Sequence, residues 1–262
     1  MNANPHADYR TEIWNRTAVF FITREHKANA LTRATLLALG QFARETAHRS
    51  DIRALLITGQ GEKYFCAGAD LEERLAFSDD DVREQIQLYR SEFGAIDNCP
   101  KVVVAAINGL TLGGGLELAM ACDLRVAHAN ATFGQPECSL GIIPGAGGTQ
   151  RLPRLVGPSI AKEMILLGRR LTSTEAHNWG LINRVVRDGN LLEDAMKWLQ
   201  PVLDGPPGAH EAALQAIDAA ELPLAQGLEA EASAYDRILS SEDRLEGLRA
   251  FIEKRPPRYV GR

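Results

Sequence analysis

Residues 109–123 read GLTLGGGLELAMACD, and they hold the two least ordinary choices in the chain. Gly113, Gly114 and Gly115 are consecutive, although glycine weakens a helix. Glu117 follows among Leu116, Leu118, Ala119, Met120 and Ala121, where a lone carboxylate is expensive to bury. Two locally unfavourable choices side by side mark a site. The preceding run, VVVAAING (102–109), is short, β-branched and closed by glycine, which reads as a buried strand. The stretch is therefore strand, turn, glycines and a buried helix, and that order makes the chain an α/β protein.

The same alternation runs outward in both directions. IRALLITG (52–59) is another buried strand, and LRVAHA (124–129), ATFG (131–134) and LINRVVR (181–187) are further short ones. Residues 12–23 read as two strands around the polar turn Asn15-Arg16. Thr32 is placed to cap a helix over 33–48. FCAGADL (65–71) is a glycine-bearing loop, and residues 72–98 read as mostly helical and solvent-facing. The Gly/Pro-rich segment 136–157 is expected to be loop, with helices at 159–168, capped by Ser159, and at 173–179. Strands alternating with helices favour a parallel or mixed sheet with crossover helices. DGPPG (204–208) is a hinge signal, followed by three helical stretches rich in alanine and leucine and by a basic tail. The expected division is a core over 1–203 and a helical region over 204–262.

Composition narrows the function classes. The 262 residues are 45% hydrophobic and 24% charged, as in an ordinary globular protein. The formal net charge is −5, so no global basic field attracts nucleic acid or a membrane surface. The four cysteines, Cys66, Cys99, Cys122 and Cys138, include no C-x-x-C pair, which points to reduced thiols in a cytoplasmic setting. The N-terminus lacks the apolar core of a signal peptide, and no apolar run approaches the ~20 residues of a membrane span. The six histidines are scattered, so neither a metal site nor a Ser-His pair is expected. GPSIA (157–161) has alanine where a nucleophile elbow needs glycine, and GAGGTQ (145–150) does not match a dinucleotide fingerprint.

Catalysis would then rest on carboxylates and backbone donors. Glu117 is either a functional carboxylate or one half of a structural ion pair with Arg125 or Arg151. Glu137, in FGQPECSLGIIPG, is either a first-turn helix carboxylate or the second member of an acid–base pair. Glycines ahead of a helix leave N–H groups open to an oxygen that gains charge, or simply let strand and helix pack closely. Ala69 could add a second N–H to the same oxygen, whereas Asp70 reads equally as a helix cap.

FCAGADL, AAINGLTLGGGLELAMACDLRVA, FGQPE and LGIIPGAGGTQRLPRLVG together resemble the crotonase, or enoyl-CoA hydratase/isomerase, superfamily. The resemblance covers essentially the whole chain. The tail EDRLEGLRAFIEKRPPRYVGR resembles the methylglutaconyl-CoA hydratase branch, and FGQPE resembles the short-chain enoyl-CoA hydratases. The fold this implies is an α/β, crotonase-like β-β-α spiral core with a C-terminal helical trimerisation region, assembled as a homotrimer or homohexamer. The activity implied is reversible hydration of a 2-enoyl-CoA in fatty-acid or branched-chain amino-acid catabolism. The alternatives are methylglutaconyl-CoA hydration and thioester isomerisation. Coenzyme A would be part of the acyl-CoA substrate, with no separate cofactor and no metal. By the resemblance, Ala69 and Gly114 supply the oxyanion-hole N–H groups and Glu117 and Glu137 are the catalytic pair. Family members that only isomerise commonly lack one glutamate or carry aspartate. Ala28, Ala30, Ala67, Asp70 and Leu71 match loops that hold coenzyme A, and Phe251 and Lys254 match C-terminal positions that reach it, often across a subunit boundary.

Overall fold

The computed structural model describes residues 8–262. The chain opens with an antiparallel hairpin, β1 (Tyr9–Trp14) and β2 (Thr17–Ile22). Its turn residues Asn15 and Arg16 both have positive φ, 39° and 64°, as a two-residue hairpin turn requires. Helix α1 (Arg33–Ala47) follows, and the Thr32 side chain caps it by accepting from the Thr35 N–H.

From here the chain repeats one unit three times. The first unit is β3 (Ala54–Gly59), β4 (Tyr64–Cys66) and the helices α2 (Leu71–Leu75) and α3 (Asp79–Asp97). The second is β5 (Val102–Ile107), β6 (Leu110–Leu112) and α4 (Gly114–Met120). The third is β7 (Leu124–His128), β8 (Thr132–Gly134), a 3-10 turn (Glu137–Leu140) and α5 (Gly148–Leu166). β3, β5 and β7 are parallel neighbours in a six-stranded sheet, while β4, β6 and β8 are parallel neighbours in a four-stranded one. Each repeat thus puts one strand in each sheet and returns through helix, which is the β-β-α spiral.

The remaining elements close the structure. β9 (Leu171–Thr172) pairs antiparallel with β8, and α6 (Ser173–Asn178) starts with a capping box from Thr172 and Glu175. β10 (Arg184–Val186) adds to β7, and α7 (Leu191–Asp204) packs behind the large sheet. Helices α8 (Pro207–Asp218), α9 (Leu224–Ile238) and α10 (Glu242–Glu253) form the C-terminal part.

Every residue of β2, β3 and β5 is buried, because both faces of the large sheet are covered. Leu55, Ile57, Val103 and Ala105 face a core shared with α1, α3 and α4. Leu56, Val104 and Ala106 face the other way, against Leu191, Ala195 and Leu199 of α7. No helix among the described residues is long and apolar enough to cross a membrane.

Three sequence expectations need correction. A helical stretch precedes the expected one: α5 starts at Gly148, with Gly147 in the cap position, breaks at Gly157 (φ 78°, ψ 157°) and resumes at Pro158, next to the expected start at 159. The non-helical Gly157, not Ser159, stands in the cap position of this second part, and Pro158 takes its first helical position, where the missing N–H costs no intrahelical bond. The stretch 72–98 divides into two helices, and its α3 part is not wholly solvent-facing: Gln85, Tyr89, Glu92, Phe93 and Ile96 are buried. The second sheet, built from strands of two or three residues, adds β4, β6 and β9 where loop or turn was expected.

Candidate active site

The repeat places three chain crossings around one cavity of about 210 Å³. Gly113 joins β6 to α4 with φ 51° and ψ −126°, a conformation open to glycine and strained for other residues. Gly115 permits a close approach, since a Cβ there would lie 2.1 Å from the Cys66 carbonyl oxygen at the end of β4. This packing draws the loop 67–70 onto the start of α4. A Cβ on Gly114 would sit 3.6 Å from Ala69 N, so the two backbone nitrogens adjoin the same space. Gly114 opens its helix, where an N–H has no intrahelical partner. Among the described residues, neither the Ala69 nor the Gly114 N–H meets an acceptor.

Glu117 is only 3% exposed. Neither Arg125 nor Arg151 pairs with it. Its Oε1 accepts instead from two backbone N–H groups, Ala146 at 2.8 Å and Gly148 at 2.7 Å, where the chain bends into α5. Arg125 is spent on the carbonyls of Leu181, Ala119 and Cys122, and Arg151 pairs with Asp97. Burial raises the Glu117 carboxyl above its ordinary value, and the Gly148 and Ala146 N–H bonds offset only part of that rise. Those two donors favour the ionised form.

Glu137 reaches the cavity from the 3-10 turn after Pro136. Its Oε1 lies 3.1 Å from where a Gly113 Cβ would be, so a side chain there would crowd the carboxylate, while the φ itself favours glycine. Burial pushes its carboxyl up to about 7, and the neighbouring charge of Glu117 adds to the shift. Gln135, fully buried, stands beside it. With its amide oriented to satisfy its surroundings, Gln135 Nε2 donates to both Glu137 oxygens, at 3.1 and 3.3 Å, and to the Gly113 carbonyl at 3.2 Å.

Of the residues singled out in the sequence, Ala67, Ala69, Leu71, Gly114, Glu117 and Glu137 line this one cavity. Asp70 caps α2 through the Glu72 and Glu73 N–H groups and pairs with Arg24 at 2.9 Å, so it holds the loop. Ala28 and Ala30 do not line the cavity. The Ala28 carbonyl accepts from the Ala67 N–H, and the Ala30 carbonyl accepts from Arg24. Phe251 lies on α10 and Lys254 caps its C-terminal end at φ 55°, both away from the cavity lining; Phe251 is 85% exposed. Three further groups complete the site, Gln135 and the backbone donors Ala146 and Gly148. Gln135 sits inside the quoted motif FGQPE and was within reach; backbone donors carry no side-chain signal. Among the described residues no cluster of three or more His, Cys, Asp or Glu is arranged to hold a metal ion.

Residues 13–262 match the family model described as Enoyl-CoA hydratase/isomerase. The chain is 38% identical over 248 residues to the crotonyl-CoA hydratase of Syntrophomonas wolfei, covering 94% of this chain and 95% of that one. It is 41% identical over 251 residues to the mitochondrial methylglutaconyl-CoA hydratase of Mus musculus, covering 93% and 79%. The crystal structure of an enoyl-CoA hydratase from Bacillus anthracis superposes with a TM-score of 0.94 at 40% identity, over 98% of this chain and 100% of that one. With a spiral of three β-β-α units, two buried glutamates and a family match over nearly its whole length, this chain belongs to the enoyl-CoA hydratase/isomerase family, the crotonase superfamily.

Proposed function

We propose that the protein is an enoyl-CoA hydratase, adding water reversibly across the 2,3 double bond of a 2-enoyl-CoA. The carrying observation is a pair of buried glutamates in different environments on one cavity, beside two backbone N–H groups that meet no acceptor among the described residues. The thioester oxygen accepts from the Ala69 and Gly114 N–H groups. That draws electrons from the double bond and makes C3 electrophilic. One such donor is typically worth about 100- to 1000-fold in rate.

The two carboxyl groups divide the proton work. Glu117, with two N–H donors, is the ionised base and takes a proton from water as its oxygen bonds to C3. Glu137, lifted to about 7, is the acid and delivers its proton to C2. The next turnover requires the proton to return from Glu117 to Glu137, so the pair titrates as a unit. Gln135 fixes the Glu137 carboxyl against Gly113.

The loops carrying Ala28, Ala30, Ala67, Asp70 and Leu71 are assigned to coenzyme A. Phe251 and Lys254 are assigned to the same ligand from a neighbouring subunit, in a homotrimer or homohexamer. Exposed apolar residues on α9 and α10, among them Leu228, Tyr235, Leu248 and Phe251, support assembly. The test is purified protein with crotonyl-CoA. Loss of the conjugated enoyl absorbance with formation of 3-hydroxybutyryl-CoA is expected; a shifted double bond without water uptake would point to an isomerase instead.

A further inference from the structure

The two N–H groups that hold Glu117 belong to a turn with little stiffness of its own. Residues 145–148 read Gly-Ala-Gly-Gly, and glycine leaves the backbone many alternatives. Both N–H groups nevertheless converge on one carboxylate oxygen, at 2.8 and 2.7 Å. Arg151 supplies the missing restraint from outside the cavity, which it does not line. It stands one turn into α5, at the helix end where a cation is disfavoured. Its Nη1 donates to the Ala146 carbonyl at 3.2 Å, and its Nη2 to Asp97, the last residue of α3, at 2.6 Å. Ala146 is thus held from two sides, its N–H by Glu117 and its carbonyl by the guanidinium. A Cβ on Gly147 would displace Arg151 Nη1, so glycine there leaves the guanidinium its place against the turn.

A stabilising ion pair does not account for this arrangement. The Arg151 and Asp97 side chains are 25% and 46% exposed, and pairs this open contribute little to stability. The consequence lies at Glu117. Charged and titratable groups face this carboxyl from four elements: Arg151 of α5, Arg74 of α2, Tyr89 of α3, and Glu137 of the 3-10 turn. The Arg151 and Arg74 charges favour its ionised form. Glu137 is acted on by Glu117 and Arg74. Around Arg151 itself stand Asp97, with Asp123 and Asp218 beyond it, and the buried Cys122 thiol. On its outer side Arg151 shares a groove with Arg90, Arg154 and Glu221, and the last two pair with each other.

We propose that Arg151, anchored by Asp97, is a positioning residue for hydration: it fixes the turn 145–148 so that the Ala146 and Gly148 N–H groups hold Glu117 as the ionised base. The inference rests on the hydratase reading and adds to it a pair of side chains that never touch the substrate. Arg151 acts twice on the same group, by fixing the turn through the Ala146 carbonyl and by its charge.

The experiment is the pH profile of crotonyl-CoA hydration, with kcat and KM resolved, for the parent and three variants. Arg151→Met should lower kcat by about 10- to 100-fold and leave KM within about twofold of the parent, because the base is misplaced while the substrate site is untouched. Its acid limb, where Glu117 takes up a proton, should move to higher pH, and its alkaline limb, set by Glu137, should stay. Arg151→Lys keeps the charge without the fork, so it should return the acid limb toward its parental place and restore part of kcat. Asp97→Asn changes a half-exposed side chain, so it keeps the test open if the Arg151 variants are insoluble. It should lower kcat by a smaller factor, again without a change in KM. The proposal is overturned by a parental profile in Arg151→Met, by a loss carried in KM, by both limbs moving together, or by a parental kcat in Asp97→Asn. A parent that leaves crotonyl-CoA unhydrated at every pH would instead remove the hydratase reading itself.

Discussion

Replacing Glu137 by glutamine should stabilise the fold above neutral pH while removing hydration. Burial lifts this carboxyl from the ordinary 4.5 to about 7. The folded protein therefore keeps a proton over a window in which the unfolded chain has already released it. The stability linked to the group is complete below 4.5, falls as pH rises through the window, and is lost above about 7. At about 1.4 kcal/mol per pH unit, the window sets a ceiling of roughly 3 kcal/mol. The cavity is open to water, which halves this to roughly 1.5 kcal/mol. In a chain of this length 1 kcal/mol moves Tm by about 2–4 °C. Glu137→Gln is thus expected to melt roughly 3–6 °C above the parent at pH 8 and within about 1 °C of it at pH 5. Thermal melts followed by circular dichroism at the two pH values supply the assay. A Tm difference that is the same at both values, or that favours the parent at pH 8, would refute the assignment of a strained buried acid. The same variant should lose most turnover, the usual opposition of stability and activity at a site.

Other perturbations separate the parts of the site. Gly114→Ala should keep the fold, because its Cβ would meet Ala69 N and Tyr89 Cε1 only at 3.6 and 3.7 Å; it should cut crotonyl-CoA turnover by about 100- to 1000-fold by filling the space between the two donors. Gly115→Ala should instead unfold or precipitate the protein, since its Cβ would overlap the Cys66 carbonyl at 2.1 Å, and melting or soluble yield reads this directly. The acid limb of the mechanism predicts that kcat/KM for hydration declines as pH rises past about 7, where Glu137 gives up its proton. Deleting residues 242–262 should lower the mass seen by light scattering or weaken coenzyme A binding. That deletion removes exposed apolar surface on α10 together with cations, of which Arg255 is already paired with Glu246 and Glu253.

Glu117 was legible because a carboxylate in an apolar helix is a local anomaly that sequence displays. Its partners were not, since the N–H groups of Ala146 and Gly148 have no side-chain signature, whereas Arg125 and Arg151 advertise themselves as charges. The large sheet was readable because its buried strands form continuous apolar runs. Of the small sheet only β8, in ATFG, was; strands such as Leu171–Thr172 are shorter than one period of alternation. The start of α5 was hidden by GAGGTQ, whose glycines read as loop; only the packing of Glu117 onto that turn explains them. Gln135 forms no pattern with its sequence neighbours, and its significance comes from the bonds its amide makes to Glu137 and the Gly113 carbonyl.

The account stands most directly on crotonyl-CoA hydration by Glu117→Gln and Glu137→Gln, measured beside acyl-CoA binding in the same preparations. Each substitution keeps side-chain size and leaves an oxygen able to accept from the surrounding donors, so folding and binding should persist. Turnover should fall by at least about 100-fold in both variants, since each removes one proton-transfer group. Near-parental turnover in either variant, with binding intact, would contradict the two-carboxylate mechanism.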